Sequence, residues 1–458
     1  MRHKTLVQQN VAERMVGFEI SDKKVDLKAF LPAESTIEKY FDRLWPLCRS
    51  ITGNGFRQSL AILQEIIPLR KVEVPTGTPV LDWTIPEEWN ISDAYVMDSQ
   101  GRKVIDFKKN NLHVLGYSEP VDTTLPLAEL QNHLYSIPEK PNAIPYLTSY
   151  YKRRWGFCLT HRDRMKLKAG TYRAVIKSTL KKGSLTYGHL ILPATERSQG
   201  EILLSTYLCH PSMANNELSG PLVVAFLYQA LKKCSRRRFS YRFVFAPETI
   251  GTIAYLSRYG RHLKKYCRAG LIATCCGDDY NFTYLKSRPE NSLIDKCAQD
   301  VLRNRGKKFF VKDYNPFGSD ERQYGSPGYN LPVGSLMRSV YGTYKEYHTS
   351  LDNKSFISFK ALRETIEVYL TTLLTIEANE TYRNTSPYGE PMLSKRGLYP
   401  TLGSVAQTET YVQRLLTLLN FSDGEHDLCE IAQKAGCSVL DLTDIVKKLV
   451  DAKLLVTL

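Results

Sequence analysis

Residues 201–246 read EILLSTYLCHPSMANNELSGPLVVAFLYQALKKCSRRRFSYRFVFA, and the architecture follows from this stretch. Ile202 to Leu208 is an apolar run of strand length, Leu218 to Cys234 has the length and apolar content of a helix, and Phe239 to Ala246 is a second apolar strand. The alternation continues with a helix over Ile250 to Tyr259 and a strand over Gly270 to Cys276. Uniformly apolar strands separated by helices predict a mostly parallel sheet with helices on both faces. Ligands of such sheets bind beyond the carboxyl ends of the strands, so the residues just after each strand are where chemistry is to be sought.

Working outward, Ser292 to Arg305 reads as a helix, Lys308 to Val311 as a short strand and Ser358 to Ala378 as a long helix. Upstream, Ser35 with Glu38 has the spacing of a capping box ahead of Ile37, Tyr40, Phe41, Leu44, Trp45 and Leu47 at helical spacing, and a second helix is expected from Gly55 to Ile66. Residues 72–192 change texture to short alternating runs broken by Pro and Gly, such as Val72-Glu73-Val74-Pro75 and His113-Val114-Leu115-Gly116, and predict a β-rich insert. After a Pro/Gly-rich stretch from Asn384 to Gly403, three short helices (Thr408 to Leu419, Asp427 to Ala435, Leu440 to Leu449) precede the apolar Leu454 to Leu458, the order of a winged-helix module. The expected division is an α/β core of residues 30–71 and 193–383, an insert of 72–192 and a tail module of 404–458.

The chain has 458 residues, 43% hydrophobic and 24% charged, which excludes disordered, collagen-like and disulfide-scaffold classes. No run approaches the roughly 18 apolar residues that cross a bilayer, and Met1 to Asn10 is polar, so a cytoplasmic protein without membrane contact is expected. Ten cysteines without paired Cys-x-x-Cys knuckles read mostly as buried thiols. The formal charge of +15 is scattered over several clusters, including Lys232 to Arg238 and Arg258 to Arg268, and reads as solvated faces more than as one anion-binding surface. In the tail, Thr408 to Leu458 holds five Lys and Arg against eight Asp and Glu, a balance of −3. Duplex binding rests on several phosphate neutralisations, so no DNA binding is expected, and the module reads as one for packing, dimerisation or a partner protein.

Four strand ends carry polar groups: His210 in the turn Cys209 to Gly220, Glu248 after Ala246-Pro247, Asp278 in Gly277-Asp278-Asp279, and His348 in Tyr344 to Asn353. Taken singly each has a structural reading: a hydrogen-bonding histidine, a glutamate at a helix N-terminus, a surface turn. Imidazole and oxygen donors from separate turns can instead converge on one metal ion.

The order of His210, Ala214-Asn215-Asn216-Glu217-Leu218-Ser219-Gly220, Glu248 and Tyr347-His348-Thr349 resembles the co-catalytic zinc aminopeptidases, with their H-x-D, A-N-D-N-x-S-G, E-E, further Asp and final Y-H-T. It is similar above all to a bacterial aminopeptidase-like family linked to polysaccharide biosynthesis, which has a β insert and a winged-helix tail. The segments Asp82-Trp83-Thr84-Ile85-Pro86-Glu87-Glu88-Trp89, Thr148-Ser149-Tyr150-Tyr151, Trp155-Gly156-Phe157-Cys158, Ser319-Asp320-Glu321-Arg322-Gln323, Leu331-Pro332-Val333-Gly334 and Lys395-Arg396-Gly397-Leu398-Tyr399-Pro400 carry that likeness across most of the chain.

The resemblance implies a metal-dependent hydrolase of aminopeptidase type, acting on an amide next to a free amino group in a small peptide or an aminoacylated small molecule, with Glu248 as general base. Departures weaken it. Ser212 replaces the Asp of H-x-D, Asn216 the metal-bridging Asp and Thr249 the second Glu of E-E. One zinc or other divalent ion on His210, Asn216 and His348, or none, is therefore expected, since an amide carbonyl is a weak zinc donor. Glu217 beside Asn216 and Asp278 are further candidate ligands, although Glu217 is expected to point elsewhere. Asp320, Arg322, Tyr344 and Tyr347 are candidates for the substrate pocket, a carboxylate suiting an ammonium and a guanidinium a carboxylate or phosphate. The competing reading is a non-catalytic binding or assembly protein on a degenerate aminopeptidase scaffold.

Overall fold

The computed structural model describes residues 27–398 and 405–458. The polar start Met1 to Asn10, Tyr399 and Pro400 of the last motif above, and residues 401–404 lie outside them. Eight strands form the main sheet: β1 (Arg70–Pro75), β2 (Ser184–Leu192), β3 (Glu201–Tyr207), β4 (Ser240–Ala246), β5 (Cys267–Ile272), β6 (Phe282–Leu285), β7 (Phe309–Lys312) and β8 (Val333–Met337). Their spatial order is β1-β2-β4-β3-β5-β8-β6-β7. The central four, β4, β3, β5 and β8, are parallel, while β2 and the β6-β7 pair run the other way.

The helices are α1 (Glu34–Leu44), α2 (Asn54–Leu63), α3 (Ser219–Lys232), α4 (Ile250–Tyr266), α5 (Leu293–Asn304) and α6 (Phe359–Ala378). Alternation along the strands feeds two cores. Ile202, Leu204, Tyr241 and Phe243 point to one face, with α1, α2, α3, α5 and α6, and Leu203, Val244 and Ile272 to the other, with α4 and the insert. Helix α3 is apolar on every side because it lies beneath both the sheet and α6, and each fully buried Leu or Phe in it contributes about 1.5–3 kcal/mol. Its start hugs β5: a Cβ at Gly220 would stand 2.1 Å from the Ala273 carbonyl oxygen, so only glycine fits.

Three boundaries differ from expectation. Helix α1 is N-capped at Ala33 without a side-chain bond, so Ser35 lies inside its first turn and forms no capping box. Strands β1 and β2 pair with each other and with β4 in the main sheet, so the insert spans about residues 76–183 and not 72–192. Its own sheet is four antiparallel strands, with Glu88–Met97 and Thr171–Lys181 at the centre, flanked by Lys103–Asp106 and Val121–Pro126. Arg57 of α2 fastens the insert's root, donating to Glu88 (2.6 and 2.8 Å), Ser184 Oγ (3.0 Å) and Glu73 (3.3 Å).

The tail module starts earlier than 404, because β9 (Thr381–Asn384) is the middle strand of a sheet with β10 (Asp423–Asp427) and β11 (Leu455–Thr457). Around it lie α7 (Val405–Phe421), α8 (Leu428–Lys434) and α9 (Val439–Asp451), the winged-helix order. No helix among the described residues is long and apolar enough to cross a membrane. All ten cysteines are free thiols, nine of them buried.

Candidate metal and acid-base site

From β3 the chain passes to β4 on one side and then returns across it to β5 on the other, so the loops after these strands part and leave a crevice at their carboxyl ends. His210 stands three residues beyond β3 and Glu248 two beyond β4. The His210 Nε2 lies 3.6 Å from Glu248 Oε2, and the His210 and His348 rings are 5.3 Å apart between centroids. The structure thus brings His210, Glu248 and His348 into one cluster at the carboxyl ends of the strands, and the space between them is referred to below as the cavity.

A single wide helical turn, Ala214–Leu218, sets the remaining polar groups. Asp352 holds it: its carboxylate accepts the amides of Asn215 (2.6 Å) and Asn216 (2.9 Å), and its carbonyl that of Ala214 (3.0 Å). Asn216 Oδ1 then meets His348 Nε2 at 3.1 Å, while its amide group donates to Tyr207 (2.7 Å). Glu217 turns the opposite way and grips His210 twice, accepting from its backbone N–H (2.8 Å) and facing Nδ1 (2.7 Å). A carboxylate behind Nδ1 fixes the ring and leaves Nε2 for the cavity, as behind metal-ligating histidines. Arg49 completes the grip, its Nε donating to the His210 carbonyl (3.0 Å).

Burial governs the electrostatics. It opposes charge on His210, but Cys209 and Glu217 outweigh it and raise that imidazole well above its ordinary value. Burial also pushes the Cys209 thiol up to about 12, so the thiol is neutral. Burial and then His210 lower His348 to about 3, so it is neutral. Burial raises Glu248. Its side chain is 25% exposed, whereas that of Glu217 is fully enclosed.

Backbone strain concentrates here. Ser212, Thr249, Cys275 and His348 have φ of 48°, 63°, 50° and 53°, a region that side-chain-bearing residues rarely adopt. At Thr249 (ψ −80°) a tight three-residue turn is closed by Ile250 N–H to Glu248 carbonyl (2.8 Å). Such conformations cost about 1–3 kcal/mol each and cluster at functional sites.

Several expected pocket residues serve elsewhere. Asp320 does not face the cavity: one oxygen accepts Thr249 N–H (2.8 Å) and the other Thr252 Oγ1 (2.8 Å), so it secures the strained turn. Asp278 is committed to Asn215 Nδ2 (2.7 Å) and the amides of Tyr280 (2.9 Å) and Ser339 (3.2 Å), and is no ligand at the cavity. Tyr344 is buried with its hydroxyl towards Cys275 (3.7 Å). Tyr347 stacks on His348 at 3.9 Å, and Arg322 donates to Thr249 Oγ1 (3.1 Å) with its buried Nε unpartnered.

Two contributors gave no usable signal in the sequence. Asp352 stands in the quoted Tyr344 to Asn353 segment, but nothing there points to its role. Tyr146 comes from the insert, its ring 4.7 Å from His210 and 5.2 Å from His348 and its N–H bonded to the His348 carbonyl (2.9 Å), so the insert roofs the site.

Whether these donors suit a metal follows from the geometry. Cys209, His210 and Glu217 form a compact group within 4.8 Å, but both Glu217 oxygens and His210 Nδ1 are bonded to each other's residue and the thiol is neutral, so this group holds the histidine. Opposite it, Asn216 Oδ1 stands 3.1 Å from His348 Nε2 and Glu248 Oε2 3.6 Å from His210 Nε2, imidazole and oxygen donors of the kinds that hold a divalent ion. No carboxylate stands at position 216 or 249, where Asn216 and Thr249 are found.

Comparison with known proteins agrees with this fold. Residues 38–379 match the model of a family described as a domain of unknown function (DUF4910), and residues 380–457 that of a winged helix-turn-helix. A curated Clostridium acetobutylicum protein, named a candidate polysaccharide biosynthesis protein with aminopeptidase-like domain, is 48% identical over 87% of this chain and 91% of its own length. The crystal structure of a candidate peptidase from Clostridium acetobutylicum is 45% identical, with a TM-score of 0.87 over 93% of this chain and 96% of that one. A zinc aminopeptidase from Bacillus subtilis shares the fold alone, at 12% identity and a TM-score of 0.55 over 74% of this chain and 93% of that one. The chain belongs to the DUF4910 family, and in it an α/β domain with the fold of the zinc aminopeptidases is followed by a winged helix-turn-helix.

Proposed function

We propose that the chain is a hydrolase of the aminopeptidase type, working around one divalent ion on an amide that adjoins a free amino group, in a small peptide or an aminoacylated small molecule. The carrying observation is the Glu248 carboxylate 3.6 Å from the cavity-facing Nε2 of His210. His210, His348 and the Asn216 carbonyl would hold the ion, and a zinc ion there supplies Lewis acidity for the amide carbonyl and for water. Glu248 takes the proton of the attacking water and returns it to the leaving amine, and its burial makes it a better base than a solvated carboxylate. Tyr146 shields the imidazoles from bulk water, and Arg322, whose charge acts on Glu248, is available for a carboxylate on the substrate. We assign the protein to the cytoplasm, where ten free thiols stay reduced.

The absence of carboxylates at Asn216 and Thr249 favours a second reading, a non-catalytic binding or assembly protein on the same scaffold. Elemental analysis of protein purified without chelator, with hydrolysis of a panel of aminoacyl anilides and dipeptides before and after zinc addition, separates the two. Sub-stoichiometric metal and no hydrolysis at saturating zinc refute the hydrolase.

A further inference from the structure

Helix-turn-helix modules read duplex DNA by laying the N-terminal end of the second helix in the major groove, with the preceding helix against the backbone. In this chain both helix starts are engaged by the chain's own core. The first amide of α9, at Val439, donates to Asp300 Oδ2 on α5 (3.3 Å). The Cys429 amide of α8 donates to Asn379 Oδ1 at the end of α6 (2.9 Å). Lys296 of α5 bonds the α8 cap residues Asp427 (2.8 Å) and Glu430 (3.0 Å), so the core supplies the cation where a module on DNA would supply its own to phosphate. Beneath these bonds Cys297 and Cys429 bring their sulfurs to 3.6 Å, and Val439, Leu442 and Leu449 join the apolar cluster of α5 and α6.

The face of α9 left to solvent carries Asp441, Asp444 and Asp451. Its two lysines are engaged: Lys447 with Asp451 (3.1 Å) and Lys448 over the Tyr411 ring (5.1 Å). We infer that the helix-turn-helix face is an intramolecular dock clamping α5 and the end of α6, and that the chain does not bind duplex DNA. The dock braces the helix that follows the His348 loop, since the other end of α6 is tied beside the site by Ser358 N–H to the Gly277 carbonyl (2.8 Å). This inference stands apart from the hydrolase reading.

Hydrogen exchange on the full chain tests it. First-turn helix amides lack an intrahelical acceptor and normally exchange fast, whereas those of Cys429 and Val439 are expected to be protected. Lys296→Glu should speed both by about tenfold through loss of its charge-assisted bonds, while Lys447→Glu on the solvent face leaves them unchanged. Fluorescence anisotropy with a labelled mixed-sequence duplex at low salt should show no saturable binding by wild type or either variant. Fast exchange of the two amides in wild type, or duplex binding by wild type, overturns the inference. Duplex binding by Lys296→Glu alone also overturns it, by revealing a masked reader. Because the wild-type measurements need no variant, a Lys296→Glu protein that fails to fold leaves the test intact.

Discussion

Glu217→Gln replaces one oxygen of a fully enclosed carboxylate by an NH2 group and changes which nitrogen of His210 carries the proton. In the wild type, Glu217 faces Nδ1 at 2.7 Å and accepts the His210 amide at 2.8 Å, so Nδ1–H is held on the carboxylate and Nε2 is the nitrogen that would give up its proton to a metal. A glutamine that keeps the backbone bond directs its NH2 at Nδ1, which must then accept, and the proton moves to Nε2, where it blocks a metal. Loss of an outer partner of this kind lowers metal affinity about 10–100-fold, or about 1.4–2.7 kcal/mol. The same change leaves the buried Arg49, whose charge Glu217 supports, short of an anion, at a further cost of about 1–3 kcal/mol in stability. Zinc affinity is to be measured by competition with a chromophoric chelator on folded protein, and stability separately by urea unfolding of the metal-free form. Glu217→Asp, which keeps the charge, should bind zinc more tightly than Glu217→Gln. Should Glu217→Gln lose stability and yet bind zinc as tightly as wild type, the assignment of Nε2 as the liganding atom is wrong.

Asn216→Asp places a carboxylate 3.1 Å from His348 Nε2 and should raise zinc affinity and any hydrolytic rate, as read by the same competition assay; unchanged affinity would remove Asn216 from the site. Glu248→Gln should lower hydrolysis about 10²–10⁴-fold while bound metal stays constant, which separates a base from a ligand. His348→Ala should abolish both metal binding and turnover, since it leaves a single imidazole. Arg57 and the Ser184 amide, against the opposing effect of burial, hold the Glu88 carboxyl at about 2, below its ordinary 4.5. The stabilisation is complete above the ordinary value and is lost as pH falls towards 2, so Glu88→Gln should flatten the acid limb of an unfolding-energy profile over that window. An unchanged limb would show that the root of the insert does not rest on this pair.

The alternation of apolar strands and helices from Glu201 to Cys276 was readable because the strands and α3 there are buried on both sides, and burial writes itself into composition. His210 and Glu248 were readable for a related reason: in a parallel sheet, the position after a strand fixes the edge on which a residue sits. The winged-helix order was legible from helix lengths and turn residues alone. By contrast, β8, which joins β5 to the β6 pair, is only five residues long and carries Gly334 and Ser335, too weak a pattern to mark a strand. The insert's roots were also hidden, because β1 and β2 have the short alternating texture of the insert while their partners lie in the main sheet.

The identity of the polar groups at the cavity was a property of the chain order, but their directions were not. One residue of extra winding in the Ala214–Leu218 turn sends Asn216 to His348 and Glu217 to His210, and that winding is held by Asp352, which lies 137 residues from Asn215. The same long-range packing turned Asp320 and Asp278 away from the cavity, where each satisfies buried amides, and brought Tyr146 in from the insert. Local sequence specifies backbone propensity and burial, which act over a few residues. The direction of a buried carboxylate depends on which distant donors it must satisfy, and that is settled only when the chain has closed around it.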